Sequence, residues 1–202
     1  NAGGQIVANG ATDLKTMQNL VNSGTVQVRN LDAKGVLNND AGNLSAQAIQ
    51  TDLQQLSNQK GTLFSQQNLV LNTRQLDNTQ GTVTTAGTLT AKVQQDVRNQ
   101  GGTLAAQSDV ALASQTLDNS AANGKMGLIS SNTGSIDIDA SQTVTNRGGV
   151  IQSVSTEADK TVHIHTAVLD NIAGTIQQSG NGTATIMASN SLDNMQGVIH
   201  TQ

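Results

Sequence analysis

A glycine followed two residues later by an aliphatic residue recurs along the whole chain. The intervals between successive glycines run from 18 to 25 residues. These glycines are Gly4, Gly24, Gly42, Gly61, Gly81, Gly102, Gly127, Gly149, Gly174 and Gly197. The aliphatic residues are Ile6, Val26, Leu44, Leu63, Val83, Leu104, Ile129, Ile151, Ile176 and Ile199. A repeat of this period is typical of a solenoid, in which each aliphatic residue joins one stacked core column.

A Leu-Asp-Asn triplet precedes many of these glycines, with intact copies at 76–78, 117–119, 169–171 and 192–194. In most repeats the asparagine lies three residues before the glycine. Asparagine and glycine tolerate left-handed backbone better than other residues, so the spacing predicts a corner. The predicted corner residues are Asn58, Gly61, Asn78, Gly81, Asn99, Gly102, Asn146, Gly149, Asn171, Gly174, Asn194 and Gly197.

Short segments of alternating polarity follow each glycine. Residues 102–105 are followed by 109–113, and residues 127–130 by 135–139. Period-two alternation marks strands with one buried face. The sequence therefore predicts an all-β fold: a right-handed parallel β-helix of about ten coils, each of roughly 20 residues. We expect one repeat domain over 1–202. A leucine-rich repeat has a similar period, but it would need more leucine and a helical return segment.

Three segments depart from the pattern. Residues 120–126 and 152–161 are extra length, and we expect loop excursions there. Within 45–56, Ala46, Ile49, Leu53 and Leu56 have helix-like spacing. We favour an irregular coil over a short helix in this stretch.

Composition excludes several classes of function. The chain has 202 residues, a formal net charge of −4, and no Cys, Pro, Trp or Tyr. It therefore offers no disulfide and no thiolate metal site. The negative charge and the lack of a basic stripe argue against nucleic acid as a partner. No apolar run approaches the roughly 20 residues of a membrane span. The opening residues show no signal peptide, so we expect an excerpt of a longer protein.

The Leu-Asp-Asn-x-x-Gly-x-(Ile/Val) repeat resembles the filamentous haemagglutinin repeat, most clearly from Gly61 to Gln202. That resemblance implies a very large exoprotein of Gram-negative bacteria, secreted to the cell surface by an outer-membrane two-partner secretion transporter. Family members serve as adhesins or as the stick of contact-dependent growth-inhibition toxins. The family's secretion domain carries Asn-Pro signatures, and this chain has no proline. The resemblance therefore implies a non-enzymatic, monomeric shaft that projects a binding or toxic element.

One pattern has metal-ligating chemistry. Asp137 and Asp139 alternate with isoleucines, and their expected counterparts in the next coil are His163 and His165. Two histidines and two carboxylates suit a divalent ion, but a surface ladder of ion pairs accounts for them equally. We favour the ladder, with no metal or other cofactor.

Two functional alternatives stay open. The segment itself binds a receptor on a host or target cell through loops 120–126 and 152–161, or it cleaves polysaccharide with Asp137 and Asp139. The second reading is weaker, because Arg74, Arg98 and Arg147 fall near corners and no Trp or Tyr is present to stack on a sugar ring.

Overall fold

The computed structural model describes residues 1–7 and 12–201. Within these ranges the chain forms nineteen strands. They are β1 Gln5–Val7, β2 Asp13–Thr16, β3 Asn19–Val21, β4 Thr25–Asn38, β5 Asn43–Ser57, β6 Thr62–Ser65, β7 Leu69–Asp77, β8 Thr82–Thr85, β9 Leu89–Val93, β10 Asp96–Arg98, β11 Thr103–Ala106, β12 Val110–Asp118, β13 Leu128–Ser131, β14 Ile136–Thr145, β15 Val150–Ser153, β16 Thr161–Asp170, β17 Thr175–Gln178, β18 Thr183–Asp193 and β19 Val198–Thr201.

Strands pair in parallel with the corresponding strands of the neighbouring turns, on both sides in the middle of the rod and on one side at its ends. β6, for example, pairs with β5 and β8, and β7 pairs with β5 and β9. The result is a β-solenoid of about nine turns, with about 21 residues per turn and no helix among the described residues. The predicted all-β parallel solenoid is confirmed. The ten repeat glycines delimit nine complete turns, which accounts for the slightly smaller number of turns.

Each turn has three faces. The first face is the segment directly after the repeat glycine, such as β6. The second face is the next segment, such as the start of β7, and the third carries the leucine of the triplet, such as Leu76. Inward residues of one turn are Leu63 and Ser65, then Leu69, Leu71 and Thr73, then Leu76, all buried. Three faces close around the core, so no bulky aromatic side chain is required to fill it.

The aliphatic residues two positions after the glycines stack in register along the first face. Val26 pairs with Leu44, and Leu44 pairs with Leu63. From Val26 to Ile176 the members of this column are fully buried. Burial of each such side chain stabilises the fold by roughly 1.5–3 kcal/mol. Ile6 also stands in register with Val26, but it is 41% exposed, and Ile199 at the other end of the column is only partly buried.

The stretch 45–56 is neither coil nor helix; it belongs to the long strand β5. Its inward residues include Ala46, Ile49, Thr51 and Leu53. The strand bends around two corners, and each corner shifts the alternation by one residue. The apolar spacing of three residues therefore arises at the corners. The spacing of four, from Ile49 to Leu53, arises because the buried residue between them, Thr51, is polar.

The column at the second inward position of the first face is partly polar, with Ser65, Thr85, Ser131, Ser153 and Gln178 stacked in register with Val28, Ala46 and Ala106. Ser65 donates to the carbonyl of Gln47 at 3.2 Å, and Ser131 donates to that of Ser108 at 2.7 Å. Both hydroxyls belong to fully buried residues. Each buried hydroxyl thereby finds its own hydrogen-bond partner at a corner carbonyl of the preceding turn.

Candidate functional site

A column of asparagine side chains runs through the corner between the third face and the first face. Each Nδ2 donates to the Oδ1 of the asparagine in the next turn, over distances of 2.6–3.0 Å. Its members are Asn1, Asn22, Asn39, Asn58, Asn78, Asn99, Asn119, Asn146, Asn171 and Asn194. This asparagine ladder links all the turns through one line of amides.

Each amide of the asparagine ladder also binds the backbone. Asn78 donates to the carbonyl of Gly81 in its own corner at 3.2 Å, and to that of Thr103 beyond the next corner at 2.9 Å. From Asn22 to Asn171 these residues are fully buried. A buried amide is stabilising only when its polar atoms are paired, and here they are paired both within a turn and between turns.

The predicted corner residues lie at the corners, but the reason given for them is wrong. Left-handed backbone falls on the residue just before the repeat glycine, such as Lys60 (φ 56°) and Gln80 (φ 57°). The repeat glycine is required by close approach instead. A Cβ on Gly61 would run into the carbonyl oxygen of Asn39 and lie 2.7 Å from the Oδ1 of Asn58. The glycine makes room for the asparagine ladder.

The aspartate of the triplet stabilises the same corner from outside. Oδ1 of Asp77 accepts from the backbone N–H of Thr79 at 3.0 Å and from its hydroxyl at 2.7 Å. Its Oδ2 accepts from the amide of Gln59 in the preceding turn at 3.1 Å. Asp118 and Asp193 accept equivalent backbone bonds at their own corners. These bonds give the aspartate a turn-forming role.

Residues 120–126 form a short hairpin over the asparagine corner. Ala122 and Lys125 exchange two backbone hydrogen bonds of 2.8 and 3.0 Å, and the two residues between them have positive φ. The hairpin lies against Gly101 of the preceding turn and Gly148 of the following turn. A Cβ on Gly101 would be 2.9 Å from the carbonyl oxygen of Ala122. Apart from Gly3 at the first corner, the other corners carry larger residues at this position. Gly101 and Gly148 therefore form a seat for the hairpin.

Of the expected excursion 152–161, the first two residues end β15 and the last begins β16. The connection between them is seated in a similar way, because Gly180 of the next turn (φ 92°) approaches Thr156: a Cβ on Gly180 would lie 2.6 Å from the Cα of Thr156. Asp159 and Lys160 form an exposed ion pair of 2.9 Å. The hydrogen bond from Lys160 lowers the pKa of the Asp159 carboxyl.

Asp137 and Asp139 pair in register with His163 and His165 on the second face. Nδ1 of His163 lies 2.9 Å from Asp137, and that of His165 lies 3.2 Å from Asp139. The two aspartates are two residues apart on one strand, roughly 6.6 Å, so the contacts are separate pairs. Among the described residues no group of three or more His, Cys, Asp or Glu side chains is placed to hold a metal ion. Such exposed pairs contribute at most about 1 kcal/mol each.

A shallow groove of about 510 Å³ crosses several turns beside these pairs, with Lys92, Ala113 and Asp139 among its lining residues. Arg147, one of the basic residues considered for catalysis, bonds to Asp170 on another part of the surface. The carboxylates of the groove therefore do not meet that arginine.

No helix in the described ranges is long and apolar enough to cross a membrane.

Comparison with known families gives one result. A family model described as the haemagglutinin repeat matches residues 32–148 and 133–194. Comparison with curated proteins and with solved structures gives no significant match. The matched region contains the asparagine ladder from Asn39 to Asn194, the hairpin at 120–126 and the Asp/His pairs.

Proposed function

The chain belongs to the haemagglutinin-repeat family, and on that premise we propose that it is a rigid shaft segment of a secreted cell-surface exoprotein. The exoprotein is an adhesin or a contact-dependent growth-inhibition protein of a Gram-negative bacterium. Its shaft projects a binding or toxic element away from the producing cell, and its action is mechanical, without catalysis.

The observation that carries this proposal is the unbroken asparagine ladder. Every turn is joined to the next by backbone pairing, by an apolar column and by a buried amide bond. Nine steps at roughly 4.8 Å give a rod about 43 Å long. Since each turn contacts its neighbours along the whole perimeter, bending at one corner would break contacts on all three faces.

Changing the number of turns tests the mechanical role. Residues 62–102 contain two turns. This unit begins directly after the repeat glycine Gly61 and ends on the repeat glycine Gly102. Tandem duplication of this unit within the full-length exoprotein should lengthen the fibre by about 9.6 Å per copy. Electron microscopy of a variant with several copies measures the length. We expect adhesion or toxin delivery to persist in the lengthened fibre; an unchanged length would contradict the proposal.

Export belongs to the same proposal. The family supports secretion through an outer-membrane two-partner transporter. Expression of the full-length exoprotein with and without its cognate transporter, followed by protease treatment of intact cells, tests this step. Protein that becomes accessible to protease without the transporter would overturn it.

A second function is favoured by the seated hairpin, namely receptor binding by this segment itself. The tip residues Asn123, Gly124 and Lys125 are exposed, and Met126 is 63% exposed. A hairpin held by two glycines loses little conformational entropy on binding. Loops on a rigid scaffold often carry recognition, and the connection at 152–161 is a second candidate contact.

Deletion of residues 122–126 separates the two functions. It joins Ala121 to Gly127 and leaves Asn-Ser-Ala-Gly, which matches the corner Asn-Ile-Ala-Gly at 171–174. Ala173 adopts positive φ in that corner, so Ala121 can do the same. If the shaft acts only as a spacer, the deletion in the full-length protein leaves cell adhesion unchanged. Loss of adhesion with an intact β-sheet circular dichroism spectrum would assign binding to the hairpin.

A further inference from the structure

The first face lacks charge along its entire length. Its outward residues stand one and three positions after each repeat glycine, as Thr82 and Thr84 do after Gly81. None of the twenty residues at these positions, from Gln5 to His200, is Asp, Glu, Lys or Arg, although the chain contains 24 such residues (10 basic and 14 acidic). The second face, by contrast, carries Lys92, Asp137 and Asp139 outward. A sheet face without charge can be covered without desolvating ions.

The periodicity of this face indicates what covers it. Rows of side chains follow one another at roughly 4.8 Å along the rod, because each row belongs to one turn. A globular partner could match such rows only locally. A second solenoid has the same spacing, so its rows stay in register with the first over many turns, as paired β-sheets do.

The side chains on this face also fit a two-fold arrangement. Phe64 and Ala105 flank Thr84 in one outward column, one turn before it and one turn after it. Consider a two-fold axis that lies between two facing copies, parallel to their strands and level with Thr84. It relates two antiparallel rods and places Phe64 of each copy opposite Ala105 of the other. The bulkiest side chain of the face would then fill the gap left by its smallest.

From the absence of charge, the matching period and the fit of Phe64 to Ala105, we propose that two copies pair laterally and antiparallel through their first faces, centred on Thr84. This goes beyond the proposed shaft function and revises the expectation of a monomer. The paired area is modest: about 43 Å by 13 Å per copy, or roughly 1,100 Å² in total. Stable interfaces usually bury about 1,200–2,000 Å², so one segment pairs weakly, and the pairing strengthens as turns are added.

Single-cysteine variants test the pairing directly, because the natural chain has no cysteine. Facing sheets lie about 10 Å apart, too far for a disulfide, so a short bismaleimide is the appropriate reagent. Thr84→Cys lies on the axis, and Thr90→Cys is the matched control, half-buried and outward on the second face of the same turn. We expect covalent dimer from Thr84→Cys at least tenfold above the control, with the dimer fraction rising with protein concentration.

Two further experiments test the register and the chemistry. Phe64→Cys mixed with Ala105→Cys should crosslink more than Phe64→Cys alone, since two copies of residue 64 stand about two turns, or roughly 9.6 Å, out of line. Adding Ala105→Lys to Thr84→Cys should lower the dimer yield about tenfold, because it buries an unpaired charge. Equal crosslinking at positions 84 and 90, or yield unaffected by the lysine, would overturn the proposal. End-to-end stacking or a different partner would produce these same negative results.

Discussion

Replacing Asn99 with alanine is expected to destabilise the fold by at least about 4 kcal/mol. The two N–H groups of its amide and its Oδ1 make hydrogen bonds worth about 3 kcal/mol together, and their loss leaves a buried acceptor of the next turn without a donor. Nδ2 of Asn99 donates to Asn119 at 2.7 Å, to the carbonyl of Leu128 at 3.0 Å and to that of Gly102 at 3.2 Å. Its Oδ1 accepts from Asn78 at 2.7 Å. Whole domains are stable by only about 5–15 kcal/mol, so the effect should be large.

The rest of this effect comes from what the substitution leaves behind. In the wild type, Oδ1 of the fully buried Asn119 accepts from Asn99. Without that donor the oxygen stays desolvated, which adds about 1–3 kcal/mol beyond the loss of an ordinary bond. A leucine at position 99 would leave the same oxygen unpaired, so restored volume alone should not rescue the stability.

Urea denaturation followed by circular dichroism measures the change. Asn72→Ala is the matched control: Asn72 points outward on the second face, and the described residues place no hydrogen bond on its side-chain amide. The control should stay within about 0.5 kcal/mol of wild type. Asn194→Ala, at the end of the ladder, should have an intermediate effect, since Asn194 accepts from one neighbour and donates only to Gly197. If Asn99→Ala changes the free energy of unfolding no more than Asn72→Ala does, the reasoning about the ladder is refuted.

Two other substitutions probe the corners. Gly61→Ala should lower the free energy of unfolding by about 2–3 kcal/mol, because its Cβ would collide with the carbonyl of Asn39. Gly124→Ala is the control, because a Cβ at this position meets no atom within 4 Å. Its positive φ alone should reduce stability by about 1 kcal/mol in the same urea assay. Equal losses of stability in Gly61→Ala and Gly124→Ala would contradict the close-approach account. Asp77→Ala should reduce stability by about 1–1.5 kcal/mol through loss of its bonds to Thr79 and Gln59. Thermal unfolding beside Asp52→Ala, an exposed control, checks this, and equal melting temperatures would count against the turn role.

The period of the chain was enough to predict the fold. Gly-x-aliphatic spacing and Leu-Asp-Asn triplets directly encode which residues stack, so the register of Val26, Leu44 and Leu63 follows from the sequence. The corners were harder to predict. Local propensity assigns left-handed backbone to asparagine and glycine, whereas the structure places it on Lys60 and Gln80. That outcome depends on contacts between turns, which a propensity does not contain.

Polar residues that face inward were missed for a related reason. Thr51 and Ser65 are buried, yet their residue types suggest a surface position. Each satisfies its hydroxyl on a backbone carbonyl of a neighbouring turn. The same limit applies to the ladder. Asn22, Asn39 and Asn119 belong to it, but the spacing of Asn22 and Asn119 from their glycines departs from the regular three residues. Asn39 keeps the regular spacing and could have been found by it, whereas Asn22 and Asn119 become recognisable only once the turns are stacked.

The asparagine ladder separates the length of the rod from the length of the chain. Successive glycines are 18 to 25 residues apart, yet every amide step spans 2.6–3.0 Å. Extra residues leave sideways at a corner, as at 120–126, and add nothing to the axial rise. A gene encoding such a fibre can therefore gain or lose surface decoration at any corner while its reach stays constant. Only the gain or loss of a whole asparagine-bearing turn alters how far the fibre extends.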